Sequence, residues 1–200
     1  MSKYKKELVG IPALQMAESP SSWLSRLALC QGISLRELLK YFELPLKGDT
    51  DIAFVRGNMR RIAGLCGLPH KDFHLIRKMF LGVASLDRKG AKYLFSHEGA
   101  PRYRFCPSCL YGQREKHLPL HWRFKAWRWC PEHYCLLEDA CPHCASPVLL
   151  PADMISGGPD RAGVGMLNRC LRCAGKLCVA HAAPKAPSTS FYSHLGRPFC

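Results

Sequence analysis

Four pairs of metal-type ligands, each separated by two residues, dominate the second half of this 200-residue chain. Cys106-Pro107-Ser108-Cys109 is followed after 20 intervening residues by Cys130-Pro131-Glu132-His133. Cys141-Pro142-His143-Cys144 comes next and, after 25 intervening residues, Cys170-Leu171-Arg172-Cys173. A two-residue gap lets a tight turn aim both side chains at one ion, and eight ligands suffice for two tetrahedral zinc sites. Four such hooks within 68 residues are hard to explain without metal.

The simplest assignment groups Cys106, Cys109, Cys130 and His133 at one zinc and Cys141, Cys144, Cys170 and Cys173 at the other, with a cross-braced pairing as the alternative. A fifth hook, Cys178-Val179-Ala180-His181, competes for the last ligands of the second site. The histidine and the lack of a ferredoxin-like spacing favour zinc over iron. Ions held by four protein ligands keep no open position, so both are expected to be structural. They would stand in for a large apolar core.

Closely paired cysteines read as metal ligands in a reducing compartment and as disulfides in an oxidising one. Lys3, Lys5 and Lys6 followed by Leu8 to Ala17 match a signal peptide poorly, because Pro12 and Gln15 interrupt the apolar stretch. The expected location is the cytoplasm. No uncharged run reaches the roughly 18 residues of a membrane span, so no membrane partner is expected.

The first 80 residues carry helical patterns. Ser19 can cap a helix with Pro20 at its first position, burying Trp23, Leu24, Leu27 and Ala28. Ser34 and Glu37 form a capping-box pattern ahead of Leu35, Leu38, Leu39 and Phe42. A third segment from Asp51 has Ile52, Val55, Met59, Ile62 and Ala63 on one side. A fourth, 69–80, turns Phe73, Ile76 and Phe80 inward. With Leu65-Cys66-Gly67-Leu68 between them, the last two have the shape of a helix-turn-helix. Cys30 and Cys66 fall in apolar patterns and read as buried thiols.

The expected fold is therefore a small mixed protein, mainly α: an N-terminal helix-turn-helix bundle followed by tandem zinc-finger or zinc-ribbon modules. The boundaries are 10–80 for the helical domain, 81–103 for a connecting segment, 104–140 and 141–181 for the zinc modules, and 182–200 for a flexible tail. Pro151 to Gly165 is expected to loop out between the hooks of the second site. In the tail, Phe191, Tyr192 and Phe199 are candidates to dock on a partner, and Cys200 reads as a free thiol or a sign of truncation.

Lysine and arginine outnumber aspartate and glutamate by 29 to 15, a formal net charge of +14 spread along the chain. Two loaded metal sites would lower it only slightly, and a polyanionic partner follows naturally. Contact candidates on the helical part are Arg26, Arg56, Arg60, Lys71, Arg77 and Lys78. Those between the first two hooks are Arg123, Lys125 and Arg128. The run His121 to Trp129 interleaves cations with aromatics, as nucleic-acid stacking surfaces do, although packing around the ion explains the aromatics as well. The rival to nucleic-acid contact along 52–80 is contact with protein, or a merely solvated basic face.

Enzymatic readings find no footing. Phosphate-binding, dinucleotide and His-Glu-x-x-His motifs are missing, as is the deaminase signature, so the chain is expected not to be an enzyme.

Two stretches in order resemble the TniQ family of bacterial transposon target-selection proteins. One is Glu18 to Ala28 with Gly32 and Leu38-Leu39. The other is Arg104-Phe105-Cys106-Pro107-Ser108-Cys109, His121-Trp122-Arg123, Cys130-Pro131-Glu132-His133 and Cys141-Pro142-His143-Cys144. The resemblance covers about residues 10–175 and is closest to the short CRISPR-associated form, because the chain ends soon after the last hook. It implies a non-catalytic adaptor in DNA transposition. Such a protein links target recognition by a CRISPR effector, with its guide RNA or target DNA, to an AAA+ transposition ATPase and through it to the transposase. Trp23 and Arg26 match the family's opening, as a packing residue and an interface residue. Two other classes stay open: a direct DNA-binding transcriptional or target-site protein, and a zinc-dependent protein-interaction module.

Overall fold

A computed structural model describes residues 8–74, 76–78, 92–97, 100–150 and 167–179. Helices dominate the first part: α1 (Pro20–Gln31), α2 (Leu35–Tyr41), α3 (Thr50–Arg56) and α4 (Met59–Leu65). The second part holds α5 (Pro107–Gly112) and two short hairpins, β1 (Ser96–His97) with β2 (Ala100–Pro101) and β3 (Trp129–Cys130) with β4 (Cys135–Leu136). The chain is thus a small mixed structure, mainly α.

Local chemistry sets the helix ends. The Ser19 hydroxyl accepts from the Ser22 amide with Pro20 at the first position, and Gly32 closes α1 at φ 64°, where a side chain would be strained. The Ser34–Glu37 capping box opens α2 with both of its reciprocal bonds. Changing half-buried Ser34 to Ala should cost about 1 kcal/mol in a urea melt.

The expected third segment is two helices. Gly57 leaves the helical region (ψ 178°), and Asn58 caps α4 by accepting from the Arg61 amide. A Cβ on Gly57 would lie 2.8 Å from Leu44 Cδ2, so a larger residue there would have to push the Leu44 side chain aside. After Gly67 (φ 61°) the fourth segment starts as a 3-10 turn, His70–Phe73. Phe73 and Ile76 are buried and Lys71, Arg77 and Lys78 exposed, while Phe80 lies outside the described residues. A helix-turn-helix is not delineated among the described residues.

Trp23 centres the helical core, with Phe54 and Phe73 edge-on at 6.0 and 5.5 Å and its indole N–H bonded to the Pro12 carbonyl at 3.0 Å. A second core, around Tyr103, Phe105, Leu110 and Trp122, incorporates the cysteines. Cys66 is buried, and burial pushes its thiol up to about 12. Cys30 is exposed, against expectation, because it lies in the last turn of α1, where the chain leaves the core.

The two parts are stitched together. Residues 17–19 run antiparallel to 118–120, through Ser19 N–H to Leu118 O at 3.0 Å and Leu120 N–H to Ala17 O at 2.7 Å. Beneath this seam the Asp51 carboxylate accepts from the Ser21 amide (2.7 Å), the Ser21 hydroxyl (2.6 Å) and the Tyr103 hydroxyl, and lies 3.2 Å from Arg123 Nε. Arg123 also pairs with Asp49 and lies 4.9 Å over the Tyr103 ring.

Glu18 is buried at the same seam, 3.5 Å from Arg26, and burial pushes its carboxyl up to about 7. Its folded value thus exceeds the unfolded one. Between about pH 4.5 and 7 the folded chain holds a proton there that the unfolded chain releases, so this stabilisation is complete at low pH and lost as pH rises through 7. Thermal melts across this range should show the wild type losing stability relative to Glu18→Gln as pH rises. Parallel curves would contradict this assignment.

Candidate metal centres

Cys106 is the N-cap of α5 and Cys109 lies in its first turn, so the Cys109 amide points at the Cys106 sulfur, 3.5 Å away. The Cys106 thiol is pushed down to about 4 by hydrogen bonding from the Cys109 thiol and amide, against the effect of burial. The β3–β4 hairpin supplies the other pair, with Cys130 on β3 and His133 in the turn, where Tyr134 takes φ 48°. His133 Nδ1 lies 3.5 Å from Cys106 Sγ, 3.2 Å from Cys109 Sγ and 3.6 Å from Cys130 Sγ, and Cys109 Sγ lies 3.6 Å from Cys130 Sγ.

These lengths test the ion. Zinc bonds of about 2.3 Å to sulfur and about 2.0 Å to nitrogen place tetrahedral ligands about 3.8 Å apart for two sulfurs and about 3.5 Å for sulfur and nitrogen. The observed separations fit that figure and far exceed the roughly 2.05 Å of a disulfide.

The second centre is built from two copies of one turn. Cys141 N–H bonds Ser146 O at 2.8 Å and Ala145 N–H returns to Cys141 O at 2.9 Å. Cys170 N–H bonds Gly175 O at 2.8 Å and Ala174 N–H returns to Cys170 O at 2.9 Å. Ala145 and Ala174 take φ 56° and 57°. In each turn an amide two residues on, of His143 or Arg172, approaches the first sulfur at 3.4 Å. Cys141 Sγ lies 3.6 Å from Cys173 Sγ, and Cys144 Sγ 3.6 Å from Cys170 Sγ.

In each group all four ligand atoms lie within 4.8 Å of one another. The structure therefore brings together the eight residues in the simple pairing, and both groups are geometrically compatible with a metal ion. Cys178 belongs to neither group and packs against the second core, while His181 lies outside the described residues.

The turns meet closely. A Cβ on Gly175 would lie 2.4 Å from His143 Cδ2, and the His143 ring is tied by Nε2 to the Lys176 carbonyl at 3.1 Å. Gly175→Ala should cost about 1–3 kcal/mol, and adding His143→Ala should restore most of it in a denaturant melt, since the clash is with that ring.

Among the contact candidates, Arg56, Arg60, Lys71, Arg77, Lys78, Lys125 and Arg128 are exposed. Arg26 and Arg123 depart from expectation. Arg26 is buried, donating to the Ala13 carbonyl at 2.7 Å beside Glu18. Arg123 is 0% exposed, because the Asp49 and Asp51 carboxylates offset the cost of enclosing its charge. Neither guanidinium presents a surface. Trp122 is core, whereas Trp127 is 40% exposed.

Cys135, which from the sequence reads as a packing or surface residue near the hooks, is buried opposite Cys130, its sulfur 3.6 Å from that of Cys106. Two further features have no counterpart in the sequence pattern. The Ser21–Asp51–Tyr103–Arg123 network left no local signature. Tyr93, Phe95, Arg102 and Arg104 come beside residues 124–128 through pairing of distant segments.

Fold and site together define a small, mainly α domain with two Cys/His clusters whose geometry is compatible with metal binding. The chain belongs to the TniQ family, whose model matches residues 10–137, and membership associates it with the machinery of transposition. No curated protein matches the chain. Among the described residues no helix is long and apolar enough to cross a membrane.

Proposed function

We propose that this chain is a non-catalytic adaptor of DNA transposition, joining an RNA-guided CRISPR effector to an AAA+ transposition ATPase that in turn engages the transposase. Family membership over residues 10–137 supports the role in transposition on which this reading is built. Cys106, Cys109, Cys130 and His133 hold one zinc, and Cys141, Cys144, Cys170 and Cys173 a second. Zinc at such a site supplies cross-linking rather than reactivity, since four protein ligands leave no position for water or substrate.

The work of the chain is positional. The hydrogen bonds of the seam fix the helical part and the zinc-bearing part relative to each other, and several modest contacts raise overall affinity through effective concentration. The net charge of +14 suits a partner surface of guide RNA or target DNA, with Arg56, Arg60, Lys71, Arg77 and Lys78 as cations exposed on the helical side.

The test mixes the purified zinc-loaded chain with the AAA+ ATPase and effector encoded beside it and resolves the products by size-exclusion chromatography. One complex containing all three is expected. Sequence-selective duplex binding by the chain alone, with no affinity for either protein, would replace this reading with a direct DNA-binding protein. A protein complex indifferent to nucleic acid would leave a zinc-dependent interaction module.

A further inference from the structure

Two segments from different parts of the sequence build a surface beside the first metal centre. Residues 92–96 lie against 123–127 through an antiparallel bridge between Leu94 and Phe124, Phe95 N–H to Arg123 O at 2.6 Å, and Lys125 N–H to Tyr93 O at 2.8 Å. Arg104 fastens the turn that follows. Its Nη1 donates to the carbonyls of Phe124, Lys125 and Trp127 at 3.2, 3.0 and 3.1 Å.

This clamp holds large aromatic residues in water. Trp127 is 40% exposed and Tyr93 is 37% exposed. Trp127 is supported by His121, 4.7 Å away between ring centroids. Burial pushes the His121 ring down to about 4, so it is neutral at pH 7.

Cations crowd the same place. The guanidiniums of Arg104 and Arg102 lie 4.2 and 5.0 Å over the Phe95 ring, and Lys92 Nζ is 5.9 Å from the centre of the Tyr93 ring. Lys125 and Arg128 are exposed. Burial, and then the neighbouring Arg128 and Arg102 charges, hold Arg104 below its usual pKa. Among the described residues the acidic neighbours are fewer: Asp139, 3.8 Å from Arg102, and Glu132, which acts on His121.

Exposed aromatic rings among cations suit one kind of polyanion. Phosphates follow the positive charge, while an exposed ring face gains energy only from a base free to stack on it. In a duplex the bases already stack on one another. We propose that Trp127 and Tyr93, with Lys92, Lys125 and Arg128, form a binding site for an unpaired polynucleotide strand. This deepens the adaptor reading by naming what the first metal module touches, and it can fail while the ATPase complex forms.

The test uses the full zinc-loaded chain and fluorescence anisotropy with labelled oligo(dT), oligo(U) and a blunt DNA duplex. Single strands are expected to bind at least about tenfold more tightly than the duplex. Binding of either polymer supports the site, because bases and phosphates are common to both. Trp127→Ala should weaken single-strand binding roughly 5- to 100-fold, and Trp127→Phe should recover most of the loss. Arg128→Ala should lower the slope of log affinity against log salt by about 0.7. Zinc content and circular dichroism verify that each variant is folded. If Trp127→Ala does not fold, Arg128→Glu carries the test and should reduce affinity at least as much as Arg128→Ala. No binding, equal affinity for the duplex, or wild-type affinity in folded Trp127→Ala and Arg128→Glu would overturn the proposal.

Discussion

Cys106→Ala is expected to lose one zinc per chain and to unfold the first metal module. Cys106 is at once a ligand, the N-cap of α5 and part of the buried core, with its sulfur 3.5 Å from the His133 ring nitrogen. Structural zinc binding is worth roughly 10–16 kcal/mol in small zinc peptides. A domain of this size is stable by only about 5–15 kcal/mol, so no other contact of the module can make up that loss. Elemental analysis should show about one zinc in place of two, and the near-ultraviolet dichroism from Trp122 and Trp129 should collapse. Two zinc ions with a native spectrum would show that this thiol is not needed.

Asp51→Ala should be the most damaging change away from metal. It removes the acceptor of the Ser21 amide and of the Ser21 and Tyr103 hydroxyls, and it strips a counter-charge from Arg123, which has no exposed surface. Removing one partner of a buried pair costs about 3–5 kcal/mol because the other charge stays enclosed. A urea melt should show that loss, and Asp51→Ala combined with Arg123→Met should recover part of it. A purely additive double variant would mean that the two residues do not act as a pair. The network joins α1 and α3 to Tyr103 and Arg123 across the seam, so the single variant should also speed proteolysis between the two parts.

The metal clusters were legible because their information is local. Two ligands two residues apart declare a turn, and the closed eight-ligand count nearly dictates the pairing. Helix caps at Ser19 and Ser34 were legible for the same reason. The break at Gly57 was obscured because Ile52, Val55, Met59 and Ile62 keep a helical period across it; Asn58 as a cap was the overlooked sign.

Charge was the least legible property. Sequence reports that Arg26 and Arg123 are cations, but their counter-charges are set by tertiary pairing: Glu18 lies eight residues from Arg26, while Asp49 lies 74 residues from Arg123. The same limit hid the surface around Trp127. Its aromatics and cations were partly visible as a run, yet Tyr93, Phe95, Arg102 and Arg104 join it only when 92–96 pairs with 123–127.

Titration with a chelator, followed at once by zinc release and circular dichroism, tests most directly whether two metal ions hold this chain in shape. About two zinc ions per chain should be found, and their removal should abolish the folded signal of the second half. A chain that keeps its native spectrum with no metal, or whose hook cysteines prove to be joined as disulfides, would contradict the account.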